Sequence, residues 1–146
     1  MAKSKKTLEL ESYLKKYVHK QGIFSCPEVT IGWWGKERVD FLTYDTNDWF
    51  KCYEVKVTKS DFYSKCHNSF VGNYNYYVMP RELYNEVKQD IPEWVGVLVE
   101  NKINGKIYSY SPLISIKKAI KQELKVDKEI LKNSLIRSLY REASRR

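Results

Sequence analysis

The chain is poor in cysteine and has no long apolar run, and both shortages narrow what it can be. Cysteine occurs only at Cys26, Cys52 and Cys66, with no C-x-x-C pair. An odd, widely spaced set supports neither a disulfide framework nor a zinc ribbon. Cys66 and His67 are adjacent, but neighbours on a helix diverge by about a hundred degrees and rarely share one ion. There is no 18-residue apolar stretch for a membrane span, and Lys3, Lys5 and Lys6 are not followed by the apolar run of a signal peptide. The expectation is a cytoplasmic protein with no membrane partner. Internal repeats, low-complexity segments and long linkers are also missing, so residues 1–146 are read as a single domain.

What is present is enough for a core: the chain is 42% hydrophobic and 14% aromatic, against 30% charged. Lysine and arginine number 26 against 18 acids, a formal charge of +8. Such a balance suits a polyanion partner such as nucleic acid, although solubility alone also accounts for it.

Lys6 to Lys20 places Leu10, Leu14 and Tyr17, with Tyr13 and Val18, at helical spacing, and Gly22 stops the run. Three β-rich stretches follow, Glu28 to Trp33, Arg38 to Tyr44 and Trp49 to Val57, separated by Gly32, Gly35 and the turn Thr46-Asn47-Asp48. They predict an antiparallel meander. Ser60 is the expected N-cap of a helix from about Asp61 to His67. Asn75 to Met79 is a buried strand closed by Pro80, which opens a helix over Arg81 to Lys88. Val95 to Glu100 is a further strand, and Asn104-Gly105 turns into Lys106 to Tyr110. Ile116 to Leu124 is expected as a short helix. After Asp127, Leu131, Leu135 and Leu139 recur at helical spacing. The expected fold class is α/β of mixed α+β character, in the order α-β-β-β-α-β, with a mixed sheet flanked by helices and a C-terminal helix. Its core covers about 7–100, with a C-terminal β-hairpin and helices over about 101–146.

Chemistry concentrates in the meander. Alternate side chains of a strand share a face, so Glu54 and Lys56 point one way while Val55 and Val57 enter the opposite apolar layer. A hairpin at Thr46-Asn47-Asp48 brings Asp40 beside Glu54 in one register, whereas a slipped register substitutes Asp45 or Asp48. Two converging carboxylates suit a hard divalent cation, magnesium or manganese, that keeps water in its shell. A neighbouring lysine orients that water or neutralises charge developing on a phosphate. A Glu-x-Lys strand pair is more often a solvated ion pair worth a few tenths of a kcal/mol, and only its apolar context raises it above that.

Asp40 on one strand followed by Glu54-Val55-Lys56 on the next, in this element order, resembles the PD-(D/E)xK nuclease superfamily. The chain is most similar to the MmcB-like DNA repair branch and related short phage-type proteins. The residues that carry the likeness are Arg38-Val39-Asp40, Glu54-Val55-Lys56, Thr58-Lys59-Ser60-Asp61-Phe62 and Asn75-Tyr76-Tyr77-Val78-Met79-Pro80, over roughly residues 25–100. The resemblance implies a restriction-endonuclease-like core in a bacterial or phage-infected cell. It implies metal ligation by Asp40, Glu54 and the backbone carbonyl of Val55, catalysis by Lys56, and a further glutamate from the first helix. Glu11 is favoured over Glu9 because it lies beside Leu14 and Val18, and Glu28 is a rival. The implied activity is metal-dependent hydrolysis of DNA phosphodiesters without a small-molecule cofactor. The alternative is a non-catalytic DNA-binding or phage accessory protein on the same fold.

Basic and aromatic residues interleave around this core. Lys36, Lys59 and Lys65 are candidate phosphate contacts, and Trp34, the expected outward member of the Trp33-Trp34 pair, is a candidate base-stacking residue. Along the C-terminal helix, Lys128, Lys132, Arg137 and Arg141 are expected in solvent, where such a stripe tracks a phosphate backbone. A solvated face or a homodimer contact are its other readings.

Overall fold

In a computed structural model, residues 3–32, 37–64 and 69–145 are described. Helix α1 (Lys5–Val18) leads into strands β1 (Ile23–Ile31), β2 (Glu37–Asp45) and β3 (Phe50–Val55). Then come α2 (Lys59–Phe62), β4 (Tyr74–Val78), α3 (Arg81–Val87) and β5 (Val95–Glu100). A small hairpin, β6 (Lys102–Ile103) and β7 (Lys106–Ile107), precedes β8 (Leu113–Lys117) and helix α4 (Lys128–Ser144). The order α-β-β-β-α-β is therefore present, as is the C-terminal helix.

Six strands form one mixed sheet in the order β1-β2-β3-β4-β5-β8. The meander β1-β2-β3 is antiparallel, β3-β4-β5 is parallel, and β8 returns antiparallel to β5. Parallel neighbours need crossovers, which α2 and α3 supply. Each face of the sheet buries its own apolar layer. Leu10, Leu14 and Val18 of α1 recur at one helical face and pack on Phe41, Tyr53, Val55, Val78 and Leu98. On the other face Phe62, Leu83, Val87, Leu131 and Leu135 from α2, α3 and α4 cover Leu42, Cys52, Tyr77 and Val97. Val55 and Val57 lie on the α1 layer, as the strand alternation requires.

Several elements differ from the sequence expectation. The helix expected from Ile116 to Leu124 does not form: residues 113–117 pair with β5 as a strand, and 118–124 have no regular secondary structure. The β-branched pair Ile114 and Ile116 alternates, and a parallel-cored sheet has an edge to fill there. Helix α2 is capped by Thr58, not Ser60: Thr58 Oγ1 accepts from Asp61 N at 3.0 Å, and Asp61 Oδ2 accepts from Val57 N at 3.1 Å. The reciprocal pair is close to a capping box and starts the helix two residues early. The hairpin at Asn104-Gly105 forms with both residues at positive φ, 54° and 77°, but its strands are only two residues long.

The largest correction concerns α4. Arg137 and Arg141 are partly exposed, and both guanidiniums are engaged. Arg137 Nη2 donates to the carbonyls of Thr30 and Gly32 at 3.0 and 2.7 Å, and Arg141 Nη2 donates to the Glu28 carbonyl at 3.2 Å. The Glu28 and Thr30 carbonyls lie on β1, the edge strand of the sheet, and that of Gly32 just beyond its end. Ser134 Oγ accepts from Gly32 N at 2.9 Å on the same margin. Residues one turn apart on α4 therefore satisfy the edge groups that would otherwise template aggregation. Lys128 and Lys132 are likewise engaged, at 3.1 and 3.5 Å from the Asp48 carboxylate. The basic stripe fastens the helix to the domain.

Candidate active site

The β2–β3 register runs Tyr44–Phe50, Thr43–Lys51, Leu42–Cys52 and Phe41–Tyr53. One further step places Asp40 opposite Glu54. The register thus selects Asp40 over Asp45 and Asp48, which serve the turn: Asp45 Oδ1 accepts from Asn47 N and Trp49 N, and Asp48 accepts from the Tyr44 hydroxyl. Asp48 sits at a positive φ of 67°. The Tyr44 hydrogen bond, then that of Lys128, holds its carboxyl down at about 2.

The sheet is locally irregular at this point. Pro27 pairs with Phe41 and Val29 with Val39, while the intervening Glu28 has a left-handed φ of 52°. Cys26 and Val29 enter one apolar layer although three residues apart, and so do Val39 and Leu42. Alternation breaks at Glu28 and Asp40, and the Asp40 carboxylate turns toward β3, where its Oδ2 accepts from Val55 N at 2.9 Å. A left-handed glutamate persists only where its surroundings over-determine it, and the Arg141 bond to its carbonyl does so.

Glu54 is 4% exposed and Lys56 8%. The Glu54 side chain is hydrogen-bonded to that of Asp40 and accepts from Ser69 N at 3.0 Å. Its carboxyl is pushed up to about 9, chiefly by burial, then by the adjacent Asp40 charge and hydrogen bond; the Ser69 amide and the Lys56 charge oppose this weakly. Burial and the neighbouring Asp40 carboxylate therefore favour the protonated form of Glu54. Lys56 Nζ lies 3.5 Å from the Asp61 carbonyl, and Asp61 in turn fixes the Val57 amide, so the capped start of α2 closes over the lysine. Lys56 N donates to Val78 O at 3.0 Å on β4. Across a planar trans peptide the Val55 carbonyl then points away from β4, to the side on which Asp40 lies.

Tyr77 is the β4 register partner of Glu54, and burial, then the Glu54 charge, raises its hydroxyl to about 12. Neither Ser69 nor Tyr77 was singled out for the site from the sequence. Ser69 reaches it through a loop, and Tyr77 through parallel pairing that local pattern does not specify. The loop is held tightly against β3: Phe50 N donates to Asn73 Oδ1 at 3.0 Å, and a Cβ at Gly72 would stand 2.8 Å from the Phe50 carbonyl.

Other expected site residues fall elsewhere. Glu11 is not joined to Asp40 and Glu54. Its Oε2 lies 2.6 Å from Lys3 Nζ, which also lies 3.1 Å from Glu28 Oε1, so one amine links two of the candidate glutamates. The Lys3 hydrogen bond holds the Glu28 carboxyl below its ordinary value. Glu9 faces Lys6 at 3.5 Å. Among the described residues no three acidic, histidine or cysteine side chains converge as a metal-ligand group. Lys59 is exposed near Glu86 at 3.9 Å. Trp33, Trp34, Lys36, Lys65, Cys66 and His67 lie outside the described residues. What the site does assemble is an all-oxygen pair, Asp40 and Glu54, with the Val55 carbonyl directed to the same side. This donor chemistry fits a hard divalent cation that completes its shell with water.

No protein-family profile matches this chain, and no curated protein does. A solved structure of a protein of unknown function from Silicibacter pomeroyi is similar in fold, with a TM-score of 0.66. It is 16% identical and the match covers 99% of this chain and 90% of that one. The likeness supports the mixed α/β architecture. Among the described residues no helix is long and apolar enough to cross a membrane.

Proposed function

We propose that the protein is a metal-dependent nuclease of the PD-(D/E)xK type that hydrolyses phosphodiester bonds in DNA. The observation that carries this reading is the hydrogen-bonded contact of the Asp40 and Glu54 side chains with Lys56 next along the same strand line. A solvated Glu-x-Lys pair has no reason to be buried, to share a proton with a second acid, or to be enclosed by a capped helix start.

When bound, magnesium or manganese supplies Lewis acidity and a water of lowered pKa. Asp40 and Glu54 hold the cation, and the Val55 carbonyl is the third protein oxygen on that side. The shared proton must leave before both carboxylates act as ligands, which makes binding dependent on pH. The Lys56 amine, positioned through Asp61, is placed to neutralise charge developing on a phosphate. Lys59 stands exposed in the same turn as a phosphate contact, while the arginines of α4 take no part.

Cleavage of single-stranded, duplex and branched DNA with magnesium or manganese tests the proposal. Asp40→Asn and Lys56→Met should abolish cutting while DNA is still retained and the circular dichroism is unchanged. Failure of the wild type to cut any of these forms, or survival of activity in both variants, would overturn it. A second reading, a DNA-binding module without turnover, draws on the lack of a third converging ligand side chain among the described residues. Calorimetry separates the two: a pure binder takes up DNA with steep salt dependence and no heat of magnesium binding.

A further inference from the structure

The two ends of β3 carry different chemistry. Opposite the Glu54 end, beneath the C-terminus of α1, lies a cavity of about 80 Å³ whose polar wall is made by Tyr17, Lys20, Thr43, Lys51, Tyr53 and Tyr76. Thr43 and Tyr53 are buried, and the rings of Tyr53 and Tyr76 stack at 5.2 Å as register partners on β3 and β4. Burial raises the pKa of Tyr17, Tyr53 and Tyr76, so their hydroxyls remain O–H donors at neutral pH.

Two lysines face this space without an anionic partner. Lys20 Nζ lies 5.5 Å from the Tyr17 ring centroid and Lys51 Nζ 5.6 Å from that of Tyr74. Among the described residues no carboxylate lies within ion-pair distance of either. Asp45, the one acid in the wall, is committed to the turn amides of Asn47 and Trp49 at 2.8 and 3.3 Å. The partial negative charge at the end of α1 is offset by Lys15 and Lys16 in its last turn together with Lys20. A ring face is a weaker partner for an ammonium than an oxyanion is. The polar-walled space is large enough for a tetrahedral oxyanion.

We propose that this cavity binds a phosphate group, with Lys20 and Lys51 supplying the charge and the tyrosine hydroxyls the directed hydrogen bonds, Tyr53 being held in place by the Thr43 hydroxyl. The phosphate has two chemical sources, free inorganic phosphate or the terminal phosphate of a nucleic-acid strand. The site is separate from Asp40 and Glu54 and stands or falls independently of the nuclease reading.

Isothermal calorimetry and thermal unfolding of the full chain with sodium phosphate, against sodium chloride at matched ionic strength, test it. Phosphate should bind and raise the unfolding midpoint beyond chloride. The single variants Lys20→Gln and Lys51→Gln should each weaken phosphate binding about tenfold, the fall expected when one charge-assisted bond is lost. Lys121→Gln, outside the cavity wall, should leave it unchanged. A 5′-phosphorylated oligonucleotide that displaces phosphate where its unphosphorylated counterpart does not identifies a strand end as the source; displacement by neither identifies free phosphate. No binding beyond chloride, or equal weakening by all three lysine variants, would overturn the proposal, because the effect would then be diffuse charge alone.

Discussion

Replacing Glu54 with Gln removes one titration from the folded protein while keeping the side chain's shape. The Gln carbonyl still accepts from Ser69 N, and its amide donates to Asp40 in place of the shared proton. In the wild type the Glu54 carboxyl is raised from 4.5 to about 9. Below pH 4.5 the group is neutral in both folded and unfolded chains and contributes no slope. Between 4.5 and about 9 the unfolded chain releases the proton and the folded one keeps it, so stability falls as pH rises through that window. At about 1.4 kcal/mol per unit the shift sets a ceiling of roughly 6 kcal/mol. Relaxation around the buried Glu54 carboxylate as it ionises brings the expected loss to on the order of 3 kcal/mol. Urea unfolding in EDTA at intervals from pH 5 to pH 9 measures it. The difference between wild type and Glu54→Gln reports Glu54 together with its interaction with Asp40, since the more distant titrations are common to both. The variant should become the more stable protein toward pH 9, and magnesium should flatten the wild-type slope alone. Parallel curves for the two proteins would refute the shared-proton description of the site.

Three further outcomes follow from the packing. Arg137→Ala, which removes two hydrogen bonds to the β1 edge, should cost about 2 kcal/mol by chemical denaturation, with Lys at this position recovering only part. Gly96→Ala should destabilise by about 1–3 kcal/mol in the same assay, because its Cβ would stand 2.6 Å from the Tyr76 ring and 2.7 Å from Ala119 N, a backbone atom that cannot swing aside. Leu14→Ala empties a fully buried position between α1 and the sheet and should cost about 2–5 kcal/mol, read as a lowered thermal midpoint.

Local chemistry made much of this molecule legible in the sequence. The spacing of Leu10, Leu14 and Val18 specified α1 and its buried face, and the β-branched runs specified the meander and β5. Alternation along β3 was enough to put Glu54 and Lys56 on one side and Val55 and Val57 on the other, because side-chain direction in a strand depends only on parity. The pairing of Asp40 with Glu54 was legible as one register among several, since turn length and the burial of both flanking runs favour it.

Only the tertiary structure decided the rest, and for a common reason: the deciding partners are distant in sequence. Ser69 and Tyr77 reach Glu54 through a loop and a parallel pairing, neither of which has a local signature. Arg137 and Arg141 read as solvated because a helix stripe reveals its polarity and not its neighbour; the neighbour is the open edge of β1, more than a hundred residues away in sequence. The residues short of 118 became an edge strand because β5 offered a place for one. Glu11 shares its helix with the buried leucines, yet Lys3 rather than Asp40 is its partner. The sequence by itself determined which side chains share a face, and the fold determined which faces meet, since only folding brings the desolvation and long-range pairing that raise Glu54 and hold the proton on the pair.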